Sequence, residues 1–149
     1  MKRLHYTASG LDYIYLANGF RWSETAYGRA FAIEDAASLH RAIACHVVSV
    51  PGRLRGQEVR FLRSHLGLTQ AGLAGILGTK RQTVVRWEAD PQAPIPGTAD
   101  RALRLYVAVK VDRRHMAWRI AGQLGVLEER ANEPAVFRET RTGWTARAA

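Results

Sequence analysis

The sequence predicts an α+β chain, mainly helical, with a small β part near the N-terminus. Three observations carry this. In several segments after Asp35, apolar residues recur at intervals of three and four, as helices with one buried face require. By contrast, Leu11–Ala17, LDYIYLA, is rich in aromatic and branched residues that roughly alternate, as in a half-buried strand. Turn formers then punctuate the chain at Asn18-Gly19, Pro51-Gly52 and the run DPQAPIPG.

Taken in order, Leu11–Ala17 reads as a first strand and Asn18-Gly19 as a turn. Arg29–Ile33 reads as a second strand, with polar Ser23–Gly28 as a loop between the two. Glu34 or Asp35 opens a helix to about Val48, with Ala36, Leu39, Ile43 and Val47 on one side. Pro51-Gly52 is a linker, so residues 1–50 form a small αβ unit suited to dimerisation or partner binding. A second domain, residues 53–112, starts with a helix over Gln57–His65 that buries Val59, Leu62 and Leu66. Three prolines between Pro91 and Pro96 make a stiff loop. Thr98 then caps a helix through about Asp112, with Ala102, Leu105, Tyr106 and Val109 inward. In the third segment, residues 113–149, Met116, Ala117, Ile120, Leu124 and Leu127 mark another helix or a continuation, stopped by Pro134. Ala135–Thr140 and Gly143–Ala146 form a short hairpin around Arg141–Gly143 that could join the N-terminal strands. This segment and the strands are both candidates for a dimer seam.

The densest information lies in Leu68–Glu88, LTQAGLAGILGTKRQTVVRWE. It reads as two short helices joined by a sharp turn. Thr69 is an N-cap, its hydroxyl accepting from an early helical N–H. Leu73, Ala74 and Leu77 make one buried face, and small Ala74 lets two helices cross closely. Gly78 falls where a left-handed backbone is needed, which glycine adopts without a steric penalty. Thr79 can cap the second helix. Val84 and Trp87 face inward, whereas Gln82, Val85 and Arg86 point out, flanked by Arg81. Arginine reads guanine and glutamine reads adenine, each through two hydrogen bonds, and short polar residues at a helix start suit phosphates.

Gln70, Leu73, Ala74, Gly78, Gln82, Thr83, Val84, Trp87 and Glu88 together resemble the Cro/repressor-type helix-turn-helix family, also called the XRE family. The resemblance implies a second helix lying in the DNA major groove. It makes Lys80, Arg81, Gln82 and Arg86 the base-reading candidates, and Thr69, Gln70, Thr79 and Thr83 the phosphate-contacting ones. Gly72 and Gly75 depart from that pattern, standing at outward positions that usually hold polar helix formers; each costs roughly 1 kcal/mol relative to alanine. The order of parts, a small β-containing unit before this motif, is similar to the MqsA/YgiT-type antitoxin regulators. YTASGLDYIYLANG, AIEDAASLHRAIA and GQEVRFLRSHLGLTQ carry that likeness. In that family the first domain binds zinc and a toxin. The paired zinc cysteines are absent from this chain, so only toxin binding is implied.

Charge agrees with a polyanion partner. The formal net charge is +9, and residues 53–112 hold ten Lys/Arg against five Asp/Glu. Residues 1–52 are near balance, with five against four, and residues 113–149 hold seven against four. A single cysteine, Cys45, excludes an intrachain disulfide and a multi-cysteine zinc site. It is expected to be buried. His40 and His46 flank it at a spacing that puts them on different helix faces, and His5, His65 and His115 are isolated surface residues. Asp12 and Glu24 have no spacing for paired catalysis, and no phosphate loop or serine-nucleophile motif occurs. No enzyme, cofactor or metal is expected. Met1–Tyr6 is basic, but no apolar signal core follows, and no run approaches bilayer length, so a cytoplasmic protein is expected. The expected function is a sequence-specific DNA-binding regulator, a homodimeric repressor reading a palindrome in double-stranded DNA. Its two motifs would sit roughly 34 Å apart. The alternative is an antitoxin that binds a toxin through residues 1–50 and represses its own operon.

Overall fold

The computed structural model describes residues 2–111 and 134–147 and has a mixed α+β fold. The described residues form two compact units, residues 2–43 with 134–147, and residues 44–111. The helix expected over Met116–Leu127 lies outside the described residues, as does His115.

The first unit has a four-stranded sheet of β1 (Leu4–His5), β2 (Ile14–Leu16), β5 (Ala135–Thr140) and β6 (Gly143–Arg147), in the order β1-β2-β5-β6. The C-terminal hairpin therefore joins the N-terminal strands. It does so through a parallel pairing that sets Ile14 beside Ala135 and Leu16 beside Phe137. In β2, Ile14 and Leu16 are wholly buried and Tyr15 between them is half-buried, the alternation expected of such a strand. In β5, three successive residues, Ala135, Val136 and Phe137, are buried. A strand covered on both faces reads as a continuous apolar run. Asn18 fixes the register, its side chain accepting from Glu139 N at 2.8 Å and donating to Glu139 O at 3.4 Å.

Two further strands, β3 (Phe20–Thr25) and β4 (Gly28–Ile33), form a separate antiparallel ribbon. The loop expected over Ser23–Gly28 is thus a strand and a tight turn, and Phe20–Thr25 is a strand that apolar patterning misses. The cause is exposure: β3 buries no residue fully, so the alternation of Phe20 and Trp22 with Arg21 and Ser23 gives way to the polar run Ser23–Thr25. The turn sets the register instead. Thr25 Oγ1 donates to Gly28 O at 2.6 Å and accepts from Tyr27 N at 3.3 Å.

Helix α1 (Ala36–Ser49) begins after Asp35, whose φ is +49 and whose carboxylate accepts from Ser38 N at 3.3 Å. Leu39, Ile43 and Val47 are buried as expected, but Ala36, in the first turn, is exposed. The boundary between the two units falls inside this helix, after Ile43.

The second unit holds α2 (Gly56–His65), α3 (Gln70–Leu77), α4 (Arg81–Ala89) and α5 (Gly97–Lys110). Leu54, Val59, Leu62, Leu73, Val84, Ile95, Leu103 and Val107 are wholly buried and make its core. Leu66 caps α2 and is only half-buried. The proline loop is structural: Gly56 N donates to Ala93 O at 3.2 Å and Gln57 N to Pro91 O at 3.1 Å. These backbone carbonyls satisfy donors that a helix start leaves orphaned.

Helix α5 corrects the sequence reading twice. Pro96, not Thr98, occupies its N-cap. Its buried face is Asp100, Leu103, Arg104, Val107 and Ala108, whereas Ala102 and Val109 are exposed and Leu105 and Tyr106 half-buried. The buried positions follow the helical repeat, but two of them are charged, so apolar spacing pointed to the neighbouring face. Those two charges are paired. Arg104 Nε donates to Asp100 Oδ1 at 2.8 Å, and Asp100 Oδ2 accepts from Leu54 N at 2.6 Å. Arg104 also donates to Val48 O at 2.9 Å, to Val50 O at 2.7 Å and to Gly52 O. One guanidinium thus gathers the carbonyls of the segment that the sequence marks as a linker. Among the described residues, no helix is long and apolar enough to cross a membrane.

Candidate nucleic-acid interface

Helix α4 and Lys80 before it present the exposed cationic side chains that the sequence pattern anticipates, and α3 packs beside them. Thr69 caps α3, its Oγ1 accepting from Gly72 N at 2.9 Å. Leu73 and Ala74 are buried beneath it, and Leu77 is half-buried. Gly78 closes α3 with φ 67 and ψ 32, and Thr79 N donates to Ala74 O at 2.9 Å. This is the double-bonded left-handed ending that makes a sharp turn. Because that closure takes Thr79, the start of α4 moves on by one residue. Lys80, not Thr79, is the N-cap, its carbonyl accepting from Thr83 N at 2.9 Å with no side-chain cap.

On α4, Val84 is wholly buried and Trp87 half-buried. Arg81, Gln82 and Arg86 are exposed, as is Lys80 before them. The four base-reading candidates therefore lie together on solvent-facing surface around one short helix. Of the phosphate candidates, Thr69 is exposed, and Gln70, Thr79 and Thr83 are half-buried.

The azimuth of α4 is fixed by a pair absent from the sequence expectation. Arg63 on α2 reaches Glu88 on α4 with a two-pronged contact, Nε to Oε2 at 2.8 Å and Nη2 to Oε1 at 2.7 Å. Its Nη1 donates to Leu68 O at 3.0 Å, so the same side chain holds the loop before α3. The Glu88 side chain is 6% exposed, and its hydrogen bonds push the Arg63 pKa up, further beyond the physiological range. The signal was available in part: Glu88 lies four residues after Val84, on the buried face, where a carboxylate requires a cationic partner.

The two unusual glycines differ in their surroundings. A Cβ on Gly72 would meet Thr69 Oγ1 at 3.2 Å, next to the cap, whereas one on Gly75 would meet nothing within 4 Å. Gly75→Ala is expected to stabilise the protein by roughly 1 kcal/mol, measurable as a higher urea midpoint. An unchanged or lower midpoint would show that the α3 backbone is not helical at that position.

The arrangement can do recognition chemistry. An α-helix with its side chains is about 10–12 Å across, comparable to a major groove about 12 Å wide. Among the described residues, no group of three or more His, Cys, Asp or Glu is placed to hold a metal ion. Cys45 is half-buried rather than buried. In the first unit, His40 Nε2 lies 2.8 Å from the Tyr6 hydroxyl, and partial burial lowers the imidazole pKa. Compared with family models, curated proteins and solved structures, the chain gave no match in any of the three searches.

Proposed function

We propose that the chain is a sequence-specific DNA-binding regulator that acts as a homodimeric repressor, with α4 as its reading helix. One observation carries this reading. Lys80, Arg81, Gln82 and Arg86 are exposed around a helix whose rear is anchored by buried Val84 and by the Arg63–Glu88 pair. Such side chains supply both counterion release at phosphates and paired hydrogen bonds to purine edges. The concentration of positive charge within residues 53–112 gives the same direction.

Selection of duplexes from a randomised pool tests the reading. A palindromic consensus is expected, with affinity falling steeply as salt rises. Arg86→Ala is expected to cost about 1–3 kcal/mol in binding and to relax selectivity at one base pair. If Lys80 meets phosphate instead of a base edge, Lys80→Ala should weaken all sequences evenly. If the pool returns no consensus, or if Arg86→Ala leaves the ranking of duplexes intact, α4 does not read bases.

A second reading, an antitoxin that also represses its own operon, draws support from the first unit. Trp22 and Phe31 are 46% and 37% exposed there, and Tyr27 is fully exposed, as partner-binding aromatics would be. Stoichiometric binding of a neighbouring gene's product to this unit would favour it.

A further inference from the structure

The β3–β4 ribbon poses a physical problem that its own unit leaves open. A two-stranded ribbon is marginal in water by itself, and among the described residues neither of its outer edges meets a third strand. One of its faces is apolar. Trp22 and Phe31 sit directly opposite one another with ring centroids 5.7 Å apart, and Arg29 lies 4.4 Å over the Trp22 ring. Phe20 and Ile33 continue that face toward the base of the ribbon. Tyr6 touches Phe31 edge-on and leaves it 37% exposed.

Backbone phase shows what the edges offer. Glu34 N donates to Gly19 O at 2.9 Å, so the pair before β3 exchanges ladder bonds. Alternation along an antiparallel ladder then makes Trp22–Phe31 a pair without mutual backbone bonds. The N–H and C=O groups of Arg29, Phe31 and Ile33 therefore point away from β3, toward the open side of β4. That edge carries none of the usual guards. GRAFAI has no proline, no lysine and a single charge at its turn end.

We propose that β4 is the seam of a homodimer, pairing antiparallel with β4 of a second copy to make one four-stranded sheet. The proposal rests on the homodimeric reading above and names its surface. Charge selects a second copy as the occupant. Phe20–Glu34 holds two arginines and two glutamates within a chain of net charge +9, so it is a place where two such chains meet without repulsion. The strand also carries opposite charges near its two ends, Arg29 at its start and Glu34, which pairs with Arg21 of the same copy at 2.7 Å, just after its finish. Antiparallel pairing about a two-fold axis near Phe31 sets the basic end of one copy beside the acidic end of the other. It also brings two Trp22–Phe31 pairs into one aromatic row.

Sedimentation equilibrium on the full chain, joined to amide hydrogen exchange, tests this. The native protein should show twice the 16.6 kDa mass of one chain. The amides of Arg29, Phe31 and Ile33 should gain protection as concentration rises through the dimer range, while those of Trp22 and Glu24 do not. Phe31→Lys places like charges on the axis, and Arg29→Glu sets like charges at both ends. Each should raise the dimer dissociation constant at least tenfold while keeping the native circular dichroism. A monomer at all concentrations overturns the seam, and so does a dimer whose β4 amides exchange freely or are protected only when a different protein is bound. The native-protein exchange pattern decides the matter even if a variant misfolds. Palindrome binding by a protein that lacks this seam would sink the seam and spare the DNA reading. A β4 dimer that selects no duplex would do the reverse.

Discussion

Arg104→Met is expected to destabilise the second unit by about 3–5 kcal/mol, the loss typical of a buried ion pair broken from one side. The substitution keeps the aliphatic stem and removes only the guanidinium. Asp100, fully buried, would then hold its charge against a single backbone donor, Leu54 N. The carbonyls of Val48, Val50 and Gly52 would lose the donor they share. Arg104→Lys should recover part of the loss, since an ammonium retains the charge but lacks the planar fork needed for four acceptors at once. Replacing both partners, Asp100→Asn with Arg104→Met, should cost less than the sum of the single changes, because no unpaired charge stays buried. Urea midpoints measure all of these. If the double variant loses as much stability as the two single changes added together, the pair is not the source of the effect.

Gly56→Ala is the second large expected effect, about 3 kcal/mol of destabilisation, at the upper end for overpacking by one methyl. A Cβ there would lie 2.0 Å from Trp87 O and 2.4 Å from Asp90 O. Both are backbone atoms, so no rotamer change relieves the clash; the start of α2 must separate from the end of α4. That separation would also loosen the Arg63–Glu88 contact, which joins the same two helices. Under the DNA-binding function proposed above, the variant should therefore lose duplex affinity as well as stability. Differential scanning calorimetry would register a fall of roughly 6–12 °C in Tm. A shift within 2 °C would show that the two helices approach less closely than described.

The sequence was most legible where apolar spacing and turn chemistry agree. Thr69, Leu73, Gly78 and Val84 occupy the roles their types suggest, and the exposed set Lys80, Arg81, Gln82 and Arg86 follows from the same register. The C-terminal hairpin was legible too, because Val136, Phe137 and Trp144 flank a polar turn. Legibility failed where polar residues do work usually assigned to apolar ones. Arg104 and Asp100 occupy a core stripe, which rotated the inferred face of α5. Arg63 and Glu88 join α2 to α4 by a hydrogen-bonded ion pair, of which the spacing from Val84 marks only the Glu88 half. It failed again in β3, whose exposed residues leave no burial pattern to read. Thr79 and Thr98 were plausible caps by type, but each lies one residue or more from the true cap, because the preceding turn sets where the helix starts.

The parallel pairing of β2 with β5 has a consequence in time. A ribosome releases every residue of α2–α5 before it makes the strands that finish the sheet of the first unit. Nascent chains cut short by a premature stop after α5 would emerge with their basic helices complete but with half of that sheet missing and Ile14 and Leu16 deprived of their neighbours. Such fragments would display the apolar edge of β2, an unpaired strand edge that proteases and other strands can reach.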